Sequence, residues 1–422
     1  MGNQPDKIRV SAGEDLLAFI PHMVGYWPNR SIVCIGMSGK RLRATMRLDL
    51  PAEDYSEVHR FAEIAASQLS SDPDADGCLI AIFGNEDWIA PKQIPHAQTY
   101  SALRMALAEV GLPVRDAWFV GPDHWRSLEC TDAGCCSWPG KDNSAIRESF
   151  VNTEFIYRGS LVRESPAEQI QELIAVEDEA FAASVLAAGE EYREPLAQRG
   201  LGEEQMAVTL GAWEHSLTRW PTTPDASMTA FLLASLADTT IRDIVMVALA
   251  TTPNHAFTGA MALRLVEEDE GELHVPHAWH GGNQAASCSV HVESYADTTY
   301  LYACRDFGNI LIGEISDGDG RIKGPDWQRL EKAQLLLQFL CRTTRGADKA
   351  PVLCILGWIQ WCKGRGTWAG TYFQQCQAFQ PGYRLASMLD QLLAIGHIAS
   401  CAKDERTAWH GSSNESSEEK AA

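Results

Sequence analysis

Three thiols fall close together in the run Cys130-Thr131-Asp132-Ala133-Gly134-Cys135-Cys136, with His124 and Trp125 just before it. Three thiolates and an imidazole are ligand types that zinc prefers. Neighbouring thiols can also form a reversible disulfide, or sense oxidants where nearby cations lower their pKa; Arg126 and Lys141 are the nearest cations. Spacing works against a metal, because structural zinc sites usually place two or more residues between thiolates and adjacent residues of an extended segment point to opposite faces. Cys135 and Cys136 could meet one ion only if the chain turns tightly, which Gly134 permits. Three readings stand side by side: zinc or another thiophilic ion on Cys130, Cys135, Cys136 and His124, a redox pair such as Cys130 with Cys135, and cysteines packed as small apolar side chains.

Other residues of chemical interest are more scattered. His274, His277 and His280, followed by Cys288 and His291, could ligate a metal by residue type, but Pro276 and Gly281-Gly282 predict a solvated loop there. His22, Arg47 and Asp49 form a candidate pocket set: Asp49 ends a predicted strand and could face a cleft with the other two. His22 also lies in a mostly apolar helix, where a hydrogen-bonded core histidine is the simpler expectation. Asp306-Phe307-Gly308 lacks the glycine-rich loop and strand lysine of a kinase. Asp317-Gly-Asp319-Gly lacks the glycine and the final carboxylate of a calcium loop, having Ile322 and Gln328 at those positions. Gly36-Met-Ser38-Gly39 fits neither a nucleophile elbow nor a phosphate loop.

Elements must position these groups, and hydrophobic periodicity predicts them. Leu16, Leu17, Ile20 and Met23 have helical spacing over Asp15–Val24, closed by Gly25 and Pro28. Ser31–Gly36 is an apolar run of strand length, and Leu42, Ala44, Met46, Leu48 and Leu50 alternate after Ser38-Gly39-Lys40, which predicts a hairpin. A helix over Tyr55–Ser70, a strand over Cys78–Phe83, a helix over Tyr100–Val110 and a strand over Val114–Val120 follow. That alternation predicts a layered α/β domain whose later strands are parallel.

From about Ser165 the period becomes helical, over Ala167–Ala188, Glu203–Thr218, Met228–Leu236 and Thr240–Leu249, with breaks at Pro221, Pro224 and Thr251-Thr252-Pro253. Ser289–Glu293, Thr298–Cys304 and Ile310–Ile315 read as short strands of an inserted β element. Helices return over Asp326–Cys341, Val352–Cys362, Thr367–Phe379 and Arg384–Ala394. The fold class expected is therefore α/β: a layered α/β domain over 1–164, then a mainly helical domain over 165–402 with a small inserted β element in the His-rich segment 255–322, and a disordered tail over 403–422. Leu356-Gly357, Gly364, Ala369, Phe373 and Pro381 have the spacing of a tetratricopeptide helix hairpin, but a single copy cannot bury its own face.

The bulk properties narrow the function classes. At 422 residues the chain exceeds what one core usually supports, and 45% apolar with 22% charged residues is ordinary globular composition. A formal charge of −21 repels phosphate backbones and anionic headgroups, which argues against nucleic-acid or membrane-surface partners. No apolar stretch reaches the roughly 20 residues of a membrane span, and the first residues do not resemble a signal peptide. A cytoplasmic location is expected, where most of the twelve cysteines stay reduced.

Three segments carry a family resemblance. They are Leu16 through Val33, with Pro21, Gly25, Pro28 and Ser31; Gly111 through Asp116 and on through Trp125 and Cys130 to Cys135-Cys136; and Leu356-Gly-Trp358 through Pro381-Gly-Tyr383-Arg-Leu-Ala386. Together they resemble an actinobacterial domain-of-unknown-function family, number 4192, over most of the chain outside about 255–322. The chain departs from the family pattern at Ser137, where proline usually follows the paired cysteines. The resemblance implies no activity and no catalytic residues.

Without a complete catalytic or cofactor motif, the first expectation is a binding or regulatory protein with a cleft between the α/β and helical parts. A thiol- or metal-dependent enzyme using the Cys130–Cys136 segment is the rival, zinc being the cofactor its ligand types suggest. A third expectation is a helical scaffold that docks a protein partner on the helical domain through Trp358, Trp361 and Tyr383.

Overall fold

A computed structural model describes residues 10, 12–52, 54–132, 134–163, 165–268, 271–277, 297–316 and 321–411, with backbone alone over 297–302. The chain divides into two compact units, Met1–Pro166 and Ala167–Ala422.

The first unit is built on one mixed sheet in the order β2-β1-β3-β4-β5-β6. Its strands are β1 (Ser31–Ser38), β2 (Arg41–Asp49), β3 (Gly77–Phe83), β4 (Val114–Val120), β5 (His124–Ser127) and β6 (Lys141–Asp142). β1 and β2 form the expected antiparallel hairpin, and β3 runs antiparallel to β1 but parallel to β4. Strand alternation sends side chains to opposite faces, and both faces are apolar. Ile32, Cys34, Ile80, Ile82 and Phe119 meet the buried sides of α2 (Tyr55–Leu69) and α3 (Ala97–Glu109). Val33, Ile35, Ala81, Phe83, Trp118 and Val120 meet α1 (Gly13–Val24), with Ile146 of α4 (Ser144–Arg147) and Val151 of α5 (Phe150–Tyr157). Each large apolar side chain so buried contributes about 1.5–3 kcal/mol.

The second unit is helical: α6 (Pro166–Ile174), α7 (Glu179–Arg199), α8 (Glu203–Arg219), α9 (Ala226–Ser235), α10 (Thr239–Ala250), α11 (Pro253–Ala262), α12 (Asp297–Leu311), α13 (Trp327–Thr343), α14 (Lys349–Cys362), α15 (Gly366–Phe379), α16 (Arg384–Ala394) and α17 (Ser400–Lys403). Every residue of α14 is buried, as a helix apolar on all sides must be. At its crossing with α15, a Cβ on Gly357 would stand 2.5 Å from the Phe373 ring, so only glycine allows this approach. Asp178, Asp225, Asp238 and Asp326 cap α7, α9, α10 and α13 by accepting from free N–H groups of the first turn, each worth about 1 kcal/mol.

Several expectations need correction. No inserted β element occupies Thr298–Cys304 or Ile310–Leu311; α12 does, because Ala303, Phe307 and Ile310 recur at helical spacing and are buried. The expected strand Ser289–Glu293 lies outside the described residues. Ala167–Ala188 is two helices rather than one, since Asp178 accepts from Phe181 N and starts α7 afresh. Thr252 and Pro253 do not merely break α10: they are the N-cap and first residue of α11. The segment 403–411 is ordered structure rather than tail, tied down by Trp327 Nε1 donating to Thr407 O (3.0 Å) and Trp409 Nε1 to Glu331 Oε1 (2.7 Å). Trp358, Trp361 and Tyr383 are buried, and the two indoles donate to Leu311 O and His397 O, so these rings form no exposed docking groove. Among the described residues, no helix is long and apolar enough to cross a membrane.

Candidate metal centre

Strands β5 and β6 pair through His124 opposite Asp142 and Trp125 opposite Lys141, so residues 128–140 form the loop joining two antiparallel strands. That loop carries the three thiols. Ser127 Oγ accepts from Glu129 N and Cys130 N at its start. Asp132 then turns the chain: its carbonyl accepts from Cys135 N (3.2 Å) and Cys136 N (2.7 Å), and its Oδ1 accepts from Gly134 N (2.8 Å). In this turn adjacent residues no longer point to opposite faces. Cys130, Cys135 and Cys136 have their Sγ atoms within 4.8 Å of one another. Cys135 is exposed and the other two are half-buried.

The thiols share protons unequally. Hydrogen bonding from Cys136 holds the Cys130 thiol below the usual range, helped by the backbone at Asp132. Burial, then the interaction with Cys130, pushes the Cys136 thiol up to about 11. Cys136 donates its S–H toward Cys130, and an arriving cation would displace the thiol protons.

The loop forms one wall of a pocket of about 530 Å³ that belongs wholly to the α/β unit. Trp118 and Trp125 supply apolar surface, and Arg115, Arg126 and Lys141 supply positive charge. Lys141 Nζ binds Glu14 at 3.1 Å and lies 5.0 Å from the Trp125 ring centre. The Arg126 guanidinium lies over the rings of Trp88 and Trp138. Asp116, also on the wall, has its carboxyl pushed up by burial, with the charge of Glu129 adding to the shift. The sequence pattern did not single out Asp116; the available signal was the charged pair Arg115-Asp116 at the start of an apolar strand.

His124 does not join the thiols. It precedes Trp125 on β5 and its Nδ1 stands 3.8 Å from Asp87 Oδ2, on a different set of partners. Among the described residues the ligand group is the three cysteines alone. His22, Arg47 and Asp49 are not one pocket either. The His22 ring bonds Ser160 Oγ and Asn152 Oδ1, each at 2.9 Å, and stacks on Phe155, joining α1 to α5. Burial lowers its pKa. Arg47 instead pairs with Asp49 at 2.7 Å on β2. In the His-rich segment, His277 bonds Glu191 (2.7 Å) and the His274 amide bonds Gln205 (2.8 Å), while His280, Cys288 and His291 lie outside the described residues.

All described cysteines are free thiols. No curated protein and no solved structure matches the chain. A family model described as "Domain of unknown function (DUF4192)" matches residues 14–278 and 326–397, leaving a gap at 279–325 that is narrower than the insertion expected over 255–322. The match takes in the sheet, the three-thiol loop and most of the helical unit, and the chain belongs to the DUF4192 family.

Proposed function

We propose that this chain is a cytoplasmic binding or regulatory protein whose α/β unit holds a thiophilic divalent ion on Cys130, Cys135 and Cys136. The observation that carries the reading is the approach of three Sγ atoms to within 4.8 Å of one another in a loop turned by Asp132. Zinc–sulfur bonds of about 2.3 Å in a tetrahedron place sulfurs about 3.8 Å apart, so only a small contraction is needed. Zinc suits three thiolates by ligand type. Three protein ligands leave one position for water or a ligand entering the adjacent pocket, a property of sites that act rather than merely brace.

The test is metal content of the purified full chain. One zinc per chain is expected, lost in Cys135→Ser and retained in Cys354→Ser. A chain that neither carries zinc nor takes it up against a competing chelator rejects the proposal. Ready formation of a Cys130–Cys136 disulfide in diamide, unaffected by added zinc, would favour a redox role instead.

A second reading, metal-assisted hydrolysis, is favoured by Asp116, whose raised carboxyl pKa on the same pocket wall suits a proton-transfer group. It requires that Asp116→Asn keep the zinc and lose any hydrolysis of activated esters by the zinc-loaded protein.

A further inference from the structure

The helical unit holds a second cleft, of about 750 Å³, between the start of α10, the end of α12, the start of α14 and one side of α16. The volume lies within the roughly 300–1,000 Å³ usual for small-molecule sites. Its wall is mainly apolar, with Leu233, Leu311, Leu389 and Leu392, and with Ile312 and Met388 well exposed. Arg242, only 4% exposed, also lines it.

A guanidinium offers five N–H donors. In Arg242, Nε and Nη2 each give one to Asp243 Oδ1, at 2.9 and 2.6 Å, and Nη1 gives one to Tyr383 Oη at 2.7 Å. One N–H on Nη1 and one on Nη2 have no partner among the described residues. Buried donors are rarely left so, and a guanidinium with two free N–H groups matches the two oxygens of a carboxylate.

Local charge selects among anions. Asp243 offsets Arg242, and Asp348 is committed to Arg193. Arg384, exposed on the same wall, has no carboxylate partner among the described residues. The lining sets Arg242 and Arg384 against Asp243 and Asp348, and among these Arg384 alone is left without a carboxylate, which suits a monoanion better than a phosphate dianion.

We propose that this cleft binds a small amphipathic monocarboxylate, with its carboxylate on Arg242 and Arg384 and its apolar body along Leu311, Met388 and Leu392. Gly308, Leu311 and Ile312 come from the segment that the family model leaves unmatched, so that part of the wall, and the ligand shape it fits, belongs to this chain rather than to the whole family.

The probe is decanoate, titrated calorimetrically into the full chain, with decanol and decyl phosphate as comparison arms. One decanoate per chain is expected, with decanol about tenfold weaker or more, the usual scale for losing a charge-assisted hydrogen bond. Decyl phosphate should also bind more weakly than decanoate. Ala237→Trp, which fills the cleft from an exposed wall position, should abolish binding while the far-ultraviolet spectrum stays unchanged. Arg242→Gln should bring decanoate down to the affinity of decanol. Should that variant misfold, Arg384→Gln tests the same point from the surface. Equal binding of decanoate and decanol, tighter binding of the phosphate, binding that survives Ala237→Trp, or no binding of decanoate would each overturn the proposal. Cys135→Ser should leave this site untouched, which separates it from the metal centre.

Discussion

In the α/β unit the thiols of Cys130, Cys135 and Cys136 gather in a loop open to solvent, whereas in the helical unit Cys354 meets Cys376 and Cys362 meets Cys401 inside the core. Contact between thiols is common to both regions, but water is not. Burial drives Cys354 and Cys362 well above the usual thiol range, and their neighbours add to the shift. In each region one thiol moves the other way, Cys130 in the loop and Cys401 beside Cys362, so the regions differ in exposure rather than in the direction of the shift. A thiol cluster becomes a ligand set where solvent can support charge and a cation can enter; the same residue elsewhere is a small apolar side chain with a weak hydrogen bond.

The largest expected difference is in reactivity. Iodoacetamide should modify the three loop thiols on the order of a thousandfold faster than Cys354 and Cys362, which must wait for the core to open. Zinc should protect the first set and not the second, as peptide mass mapping over time would reveal. Comparable rates in the two sets would break the contrast.

Stability should divide in the opposite sense. Trp361→Ala, emptying a buried site beside Cys362, should cost about 3–5 kcal/mol in urea unfolding. Cys135→Ser, at an exposed position, should change metal-free stability by no more than about 0.5 kcal/mol. A large loss in the cysteine variant would mean that the loop braces the fold.

The smallest effect sharpens the comparison for imidazoles. Burial keeps His22 neutral, so its folded pKa lies below the usual 6.5. Its contribution is present above 6.5 and is lost as pH falls from there through the lowered folded value. The slope cannot exceed about 1.4 kcal/mol per pH unit, the limit for one proton. Unfolding free energies at pH 7.5 and 5.5 should therefore differ less in His22→Gln than in the parent chain. An unchanged difference would assign the acid sensitivity to other groups.

Much of the architecture was legible because burial leaves a period in the sequence. Val114–Val120 and Arg384–Ala394 have the predicted limits, and the alternating residues of β2 marked the hairpin. What escaped was decided over shorter or longer ranges than a periodicity window covers. β5 and β6 have four and two residues, too few to alternate visibly. The β-branched and aromatic start of α12 pointed to a strand, but Ala303, Phe307 and Ile310 gain more by packing as a helix. At the thiol loop the sequence supplied the ligand types and a permissive Gly134. The turn that gathers the sulfurs depends on hydrogen bonds to Asp132, and the partner that draws His124 elsewhere is Asp87, distant in sequence.

The enclosed helix α14 also bears on how the chain is made. Its neighbours come from both earlier and later parts of the sequence, and its centre cannot be shielded until α15 has left the ribosome. The α/β unit has its sheet and both covering layers once residue 166 is out, and can fold while synthesis continues. In the helical unit α9 packs on α7 and α11 on α10 as they emerge, but the sides of α7, α8 and α10 that meet α13 stay uncovered until Thr343 has been made. During that interval the nascent chain is a natural client for chaperones, and a ribosome stalled within α13 would present a folded first unit joined to a sticky, unfinished second one.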